Sequence, residues 1–244
     1  MRYPRPLIPA VFLSRPNRFV AVVALAGEEA RVHVKNTGRC AELLVPGHRV
    51  YLLESDSPAR RTAYDLVAVE KPLPGGGARL INMDSMAPNQ AAGEWLAAGG
   101  IGPLTELRAE ATVGDSRFDF VARTPQGRPV AVEVKGCTLE EGGVARFPDA
   151  PTLRGLKHVR GLTDLAGRGW RAVLLVVIQM KGVHVFEPNW AAQPEFGEAL
   201  LEARAAGVEI LAMDCRVAVG EVAIDETVPA KLERESHWLL AVSH

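Results

Sequence analysis

The seven residues AVLLVVI at 172–178 are apolar without a break and rich in β-branched side chains. A run of this kind is too short for a buried helix and has no polar face to turn to water, so it reads as a strand covered on both sides. It is also far too short to span a bilayer. Around it the texture alternates. AAGEWLAAGG reads as a short helix stopped by Gly99 and Gly100, and strand-like residues follow at 108–113. A hairpin is expected at 116–135, a helix near 152–167, and a second helix near 194–206 ended by Gly207. Short strands are expected at 208–213 and 216–224. Strands and helices in this order imply an α/β (α+β) fold with a mixed sheet and 172–178 at its centre.

Residues 18–82 have a different grain. Phe19 to Leu25, Ala30 to Val34, Arg49 to Leu53, Tyr64 to Glu70 and Ala78 to Ile81 read as short strands between Gly/Pro turns, with no long helical period. A five-stranded OB-like β-barrel closes such a series. The change of texture near residue 85 divides the chain into an N-terminal barrel, 1–84, and a second domain, 85–244. Between the second and third strands lies KNTGRCAELLVPG. Its Asn36, Thr37 and Gly38 form a turn whose backbone amides suit an anion, followed by one helical turn stopped at Pro46 and Gly47. An ordinary barrel loop has the same chemistry.

At 244 residues and 48% hydrophobic content the chain has ample material for a core. With Lys+Arg 28 against Asp+Glu 29 the net charge is −1, so any basic surface is local. The three cysteines, Cys40, Cys137 and Cys215, are scattered and without metal-ligand spacing. They point to free thiols in a reducing compartment, with the cytoplasm as the simplest setting. Pro4, Pro6, Pro9 and Pro16 break any signal-peptide helix at the N-terminus.

The hairpin RFDFVARTPQGRPVAVEVK at 117–135 carries charges where a core strand is apolar. Side chains alternate along a strand, so Glu133 and Lys135 share one face while Val130, Val132 and Val134 fill the other. Asp119 on the neighbouring strand can close the group. Converging carboxylates suit a hard divalent cation, and an adjacent ammonium can orient a water or offset phosphate charge. A salt-bridged cluster on a sheet face would use the same three residues. In FPDAPTLRGLKHVRGL the helical period puts Leu153, Leu156, Val159 and Leu162 on one half of the wheel. Arg154, Lys157 and His158 fall on the other, as a phosphate-facing surface or as a solvated helix face. Gln179, ending the apolar run, is within reach of the same pocket; His33 and His184 suit hydrogen bonds inside their domains rather than metal.

The segments HVKNTGRCAELLVPG, GDSRFDF, AVEVKGCTL, FPDAPTLRGLKH and AAGVEILAMDCRV resemble, in order, those of the sugar fermentation stimulation protein family, over roughly Arg18 to Ile224. The resemblance implies an N-terminal OB-like domain followed by a restriction-endonuclease-like domain of the PD-(D/E)XK nuclease type. It also implies non-sequence-specific DNA binding, RNA being the other candidate, and a regulatory role in maltose and sugar utilisation. Asp119 then matches the first motif carboxylate and Glu133 with Lys135 the ExK pair. Glu94 matches the helical acidic position of many such nucleases, and Arg154, Lys157 and His158 the basic helix. Phe118 stands where this nuclease type carries proline. By this resemblance Asp119 and Glu133, with Glu94 and the Val134 carbonyl, hold Mg²⁺ or Mn²⁺, while Lys135 acts in phosphodiester hydrolysis. Asn36 and Thr37 join the nucleic-acid contacts. Three functions follow as alternatives: a metal-dependent nuclease, a non-catalytic DNA-binding regulator, and a sugar-phosphate or other small-molecule sensor using the NTG loop.

Overall fold

The computed structural model describes residues 1–36, 38–55 and 60–234. Thr37 and residues 235–244, the latter holding most of the C-terminal tail, lie outside the described residues.

The chain begins with β1 (Ile8–Asn17), β2 (Val20–Leu25), β3 (Glu28–Val34), β4 (Arg49–Glu54), β5 (Tyr64–Pro72) and β6 (Ala78–Asn82). They pair in the order β3-β2-β1-β4-β5-β6. A parallel contact of β3 with β5, at His33↔Asp65 and Val34↔Leu66, closes the first five into a barrel. The five strands expected from the sequence include β6 and omit β1. The reason is Pro9 and Pro16, which argue against a strand paired on both sides. β1 tolerates Pro16 near its end, where its register against β2 shifts between Ser14 and Asn17. After Cys40 the expected helical turn is a single one: the amide of Leu44 reaches the Cys40 carbonyl at 2.9 Å, and no helix follows.

The second part runs α1 (Ala87–Ala97), β7 (Thr105–Val113), β8 (Ser116–Arg123), β9 (Pro129–Cys137), β10 (Glu140–Glu141), β11 (Val144–Phe147), α2 (Leu153–Gly167), β12 (Arg171–Ile178), β13 (Val185–Pro188), α3 (Pro194–Ala205), β14 (Glu209–Ala218) and β15 (Glu221–Val228). The large sheet has the order β15-β14-β12-β9-β8-β7, with β9, β12 and β14 parallel and the outer strands antiparallel. The apolar run is thus an inner strand. Its Leu174, Val176 and Ile178 pack with Leu156, Val159 and Leu162 of α2 and with Phe196 and Leu200 of α3. Val173, Leu175 and Val177 pack on the opposite face with Ala91, Ala92 and Leu96 of α1. Burying side chains of this size stabilises by about 1.5–3 kcal/mol each.

Three differences from the sequence reading have local causes. β14 and β15 meet at a turn through Gly220, where φ is +91°, and not near residue 215. Leu153 is 83% exposed, as the first residue of α2, and does not join the apolar face of the helix. β10, β11 and β13 form a small separate sheet whose two- and four-residue strands carry no readable period.

Barrel and sheet share one core. Phe12, Val23, Leu43 and Leu66 of the barrel belong to the same buried cluster as Leu174 and Leu162. A polar joint reinforces it: the Gln179 side-chain amide donates to the Asn82 carbonyl at 3.1 Å, Asn82 Oδ1 at 2.8 Å and the Asp84 carbonyl at 3.1 Å. Gln179 is therefore a fastener between the two sheets. Among the described residues no helix is long and apolar enough to cross a membrane, and the three cysteines are buried and free.

Candidate metal and nucleic-acid site

Asp119 sits at a slip in the alternation of β8. Phe118 packs into the core beneath α2, with Gly161 leaving room for its ring, whereas Phe120 packs beneath α1 against Gly93. Residues two apart in a regular strand share a face, so the period breaks at Asp119. The ladder with β9 ends at Phe120↔Val132. Beyond it the Asp119 carboxylate takes the place of a strand: Oδ2 accepts the Val134 amide at 2.7 Å, and Oδ1 accepts the Asn89 side-chain amide from α1 at 2.7 Å.

Glu133, on β9, faces α2 and is 2% exposed. Its Oε1 accepts from the Lys135 ammonium and is in hydrogen-bond contact with His158 Nδ1, while its buried Oε2 has no partner among the described residues. Burial, then the negative charge of Glu133, pushes the Asp119 carboxyl above its usual value, against the pull of the Val134 and Asn89 donors. Burial also acts to raise Glu133, but His158 and Lys135 outweigh it and hold that carboxyl below the ordinary range. The pair is thus two unlike carboxylates side by side, with one bare buried oxygen. Such a site is short of positive charge, which a hard cation supplies.

The remaining expected residues are partly redistributed. Glu94 does not join Asp119 and Glu133: its exposed carboxylate takes the Met1 ammonium at 2.7 Å. The motif places an acid on α1, but α1 begins earlier than the AAGEWL pattern indicates, and the residue it turns toward the site is Asn89. Pro88, at the start of that helix, is the signal that locates it. Arg154 and Lys157 are exposed and form no ion pair among the described residues. His158 parts from them and turns in to Glu133, because one half of a helical wheel includes its boundary with the sheet. Asn36 uses its side chain internally: Nδ2 donates to the Met83 carbonyl at 2.9 Å and Oδ1 accepts the Gly38 amide at 2.7 Å. His33 bonds Asp65 Oδ1 at 2.8 Å, within the barrel.

A second acidic group was not legible as a cluster in sequence. Asp214, Asp225 and Glu226 converge closely enough to share an ion. Lys181 fills the centre, its ammonium 2.9, 2.7 and 2.9 Å from the three carboxylates. A lysine so placed satisfies them without a metal.

The Asn36 loop of the barrel meets the segment between β11 and α2, where Asp149 Oδ2 accepts the Arg39 amide at 3.0 Å. Two clefts open along this contact and share Gly38, Phe147 and Asp149. One, about 200 Å³, reaches Gly136, the residue after Lys135. The other, about 730 Å³, is bordered by Arg15, Arg18 and Arg39.

Comparison with known proteins matches the barrel and the mixed-sheet part in turn. Residues 13–82 match the family described as the SfsA N-terminal OB domain, and residues 86–221 the sugar fermentation stimulation protein RE domain. A sugar fermentation stimulation protein homolog of Desulfitobacterium hafniense (strain DSM 10664 / DCB-2) is 49% identical over 221 residues, covering 91% of this chain and 94% of that one. One of Ruminiclostridium cellulolyticum is 46% identical over 223 residues, covering 91% and 96%. Among solved structures, Pyrococcus furiosus SfsA in complex with Ca²⁺ superposes with a TM-score of 0.82 at 30% identity, covering 95% of this chain and 98% of that one. With both of its parts matched in order and near half its residues shared with relatives of the same length, the chain belongs to the sugar fermentation stimulation protein (SfsA) family.

Proposed function

We propose that this protein binds DNA without sequence preference and hydrolyses phosphodiester bonds at Asp119, Glu133 and Lys135 with Mg²⁺ or Mn²⁺. The observation that carries the reading is Glu133 Oε2, a buried carboxylate oxygen with no partner among the described residues, beside a second carboxylate. An uncompensated buried oxygen is costly unless a ligand completes it. Asp119 and Glu133 offer the oxygen donors that hard divalent ions take, and a relative was solved in complex with Ca²⁺. Bound there, the ion would supply Lewis acidity and a more acidic water. The protein's own part is positional. Asn89 and the Val134 amide fix Asp119, while Lys135 and His158 hold Glu133 by one oxygen and leave the other bare. Lys135, released from Glu133, offsets charge on the phosphate. Arg154 and Lys157 meet the backbone from the exposed side of α2.

The closed contact of Lys135 with Glu133 favours a second reading, a non-catalytic DNA-binding protein that keeps the cluster as an ion pair. Either form would serve a regulatory role in sugar utilisation, which the relatives' name alone suggests, in a reducing cytoplasm suited to free thiols. The deciding experiment incubates single- and double-stranded DNA with the protein and Mg²⁺ or Mn²⁺, alongside Asp119→Asn and Lys135→Ala. Cleavage lost in both variants supports the nuclease. Intact DNA with salt-sensitive binding in all three proteins assigns the second reading.

A further inference from the structure

The β1–β2 hairpin carries a feature that the metal site does not use. Phe19 is 44% exposed at its tip, and the Arg18 guanidinium lies over the ring, 4.7 Å from its centroid. The tip is built rigidly. Asn17 Oδ1 accepts the amides of Phe19 at 2.9 Å and Val20 at 3.1 Å, an Asx turn that fixes the direction of both side chains. Arg15 braces the turn from behind, donating to the Arg18 carbonyl at 2.7 Å and the Asn36 carbonyl at 3.1 Å, and to the Arg39 carbonyl as well. Arg18 and Arg39 form no ion pair among the described residues, and both border the 730 Å³ cleft. That cleft continues through Gly38, Phe147 and Asp149 to Gly136, beside Lys135. An exposed aromatic ring with a cation on its face thus borders, through Arg18, a groove that runs on to Gly136, the residue after Lys135.

From this arrangement we infer that Arg18 and Phe19 form a stacking platform for one unpaired nucleotide of a single-stranded DNA segment, whose phosphates run along Arg18 and Arg39 toward Lys135. Inside a duplex every base face is already stacked, so a lone ring at a hairpin tip finds a partner only in a base that is free. The first loop of an OB barrel is also a position from which such barrels reach oligonucleotides. The inference rests on the proposed nucleic-acid binding and adds its strand form.

The test measures fluorescence anisotropy of a labelled oligothymidine and of a duplex of equal length with the full chain, Phe19→Ala, Phe19→Trp and Arg18→Ala. The expected result is a loss of about 5- to 100-fold in single-strand affinity for Phe19→Ala, duplex affinity within about twofold, and single-strand affinity retained by Phe19→Trp. Arg18→Ala weakens single-strand binding and lowers its salt dependence. Unchanged single-strand affinity in Phe19→Ala, or an equal loss on both forms, overturns the platform and leaves the binding reading intact. Failure of the unmodified chain to bind either probe overturns both.

Discussion

Asn89 holds Asp119 from helix α1: its side-chain amide donates to Oδ1 at 2.7 Å while the Val134 amide donates to Oδ2 at 2.7 Å. Each oxygen therefore keeps one lone-pair direction for a further ligand. Asn89→Leu removes one of the two restraints and raises the Asp119 carboxyl further, since burial and Glu133 already push it up. Affinity for Mn²⁺, read by calorimetry, is expected to fall about tenfold, with a stability cost of about 1 kcal/mol. Equal affinities in the two proteins would show that Asn89 does not position the carboxylate.

His158, Arg154 and Lys157 share a helix but not a task. His158→Ala leaves Glu133 Oε1 to Lys135 alone and is expected to weaken metal binding by about 10- to 100-fold. The double variant Arg154→Ala with Lys157→Ala should leave the metal affinity alone. It should instead lower DNA affinity and make the slope of log K against log salt shallower by about two. Anisotropy at several salt concentrations, beside metal calorimetry, separates the two effects; a double variant that loses metal while His158→Ala keeps it reverses the assignment.

Much of this was legible in the sequence for reasons that can be named. Strand β12 declared itself because burial on both faces leaves no polar residue from Ala172 to Ile178, and Glu133 with Lys135 because charge in such a neighbourhood is rare. Asp119 was recognisable, but the slip of alternation that aims it was not, since Phe118 and Phe120 look equivalent in one dimension and pack on opposite faces. Glu94 and His158 show the same limit. Composition identifies a ligand type, whereas a shift of a few residues in where a helix starts decides which side chain arrives. The joints between barrel and sheet depend on contacts far apart in the chain, such as Lys71 with Glu140, and carry no local signal.

Glu140 gives the protein an acid-sensitive fastener. It is 4% exposed and accepts from Lys71 at 2.9 Å and the Gly143 amide at 2.6 Å, with an Arg79 ion pair at 2.8 Å. Burial acts to raise its carboxyl, but Lys71, the Gly143 amide and Arg79 outweigh burial and hold it below the usual 4.5. A depressed folded value means that the unfolded chain takes up the proton first as pH falls. The stabilisation is therefore complete above about pH 4.5 and is lost as pH drops through the folded value. Glu140→Gln removes the charge that pairs with Lys71 and Arg79, which keep only their backbone carbonyl partners, and is expected to cost about 3 kcal/mol at neutral pH, with a shallower loss of stability below pH 4.5. Urea unfolding between about pH 3 and 7 checks this; parallel pH curves for the two proteins would exclude Glu140 as the source.

Gln179 tests whether the barrel must be held square to the sheet for the cleft to work. It is 2% exposed, and its side-chain amide supplies three bonds to Asn82 and Asp84, while its backbone carbonyl accepts the Asn82 amide at 3.0 Å whatever the side chain. Those acceptors belong to a wider network: Asn82 Nδ2 donates to the Tyr3 hydroxyl at 2.8 Å, and Lys35 pairs with Asp84 at 3.0 Å. Gln179→Leu keeps the volume and removes the donor, so buried acceptors are left without their partner, at a cost of about 2–4 kcal/mol. For a chain of this length that lowers Tm by about 5–10 °C. Asp119 and Glu133 take none of their hydrogen bonds from Gln179 or from the barrel, so Mn²⁺ affinity should survive. DNA affinity should fall, because Arg18 and Arg39 reach the groove only through the barrel's position. Calorimetry for the metal and anisotropy for DNA, both below the lowered Tm, read the two separately. A variant that loses both together would mean that the joint supports the carboxylate pair itself, whereas one that loses neither would show that the shared apolar core and the other joints, such as Lys71 with Glu140, hold the barrel in place without the Gln179 side chain.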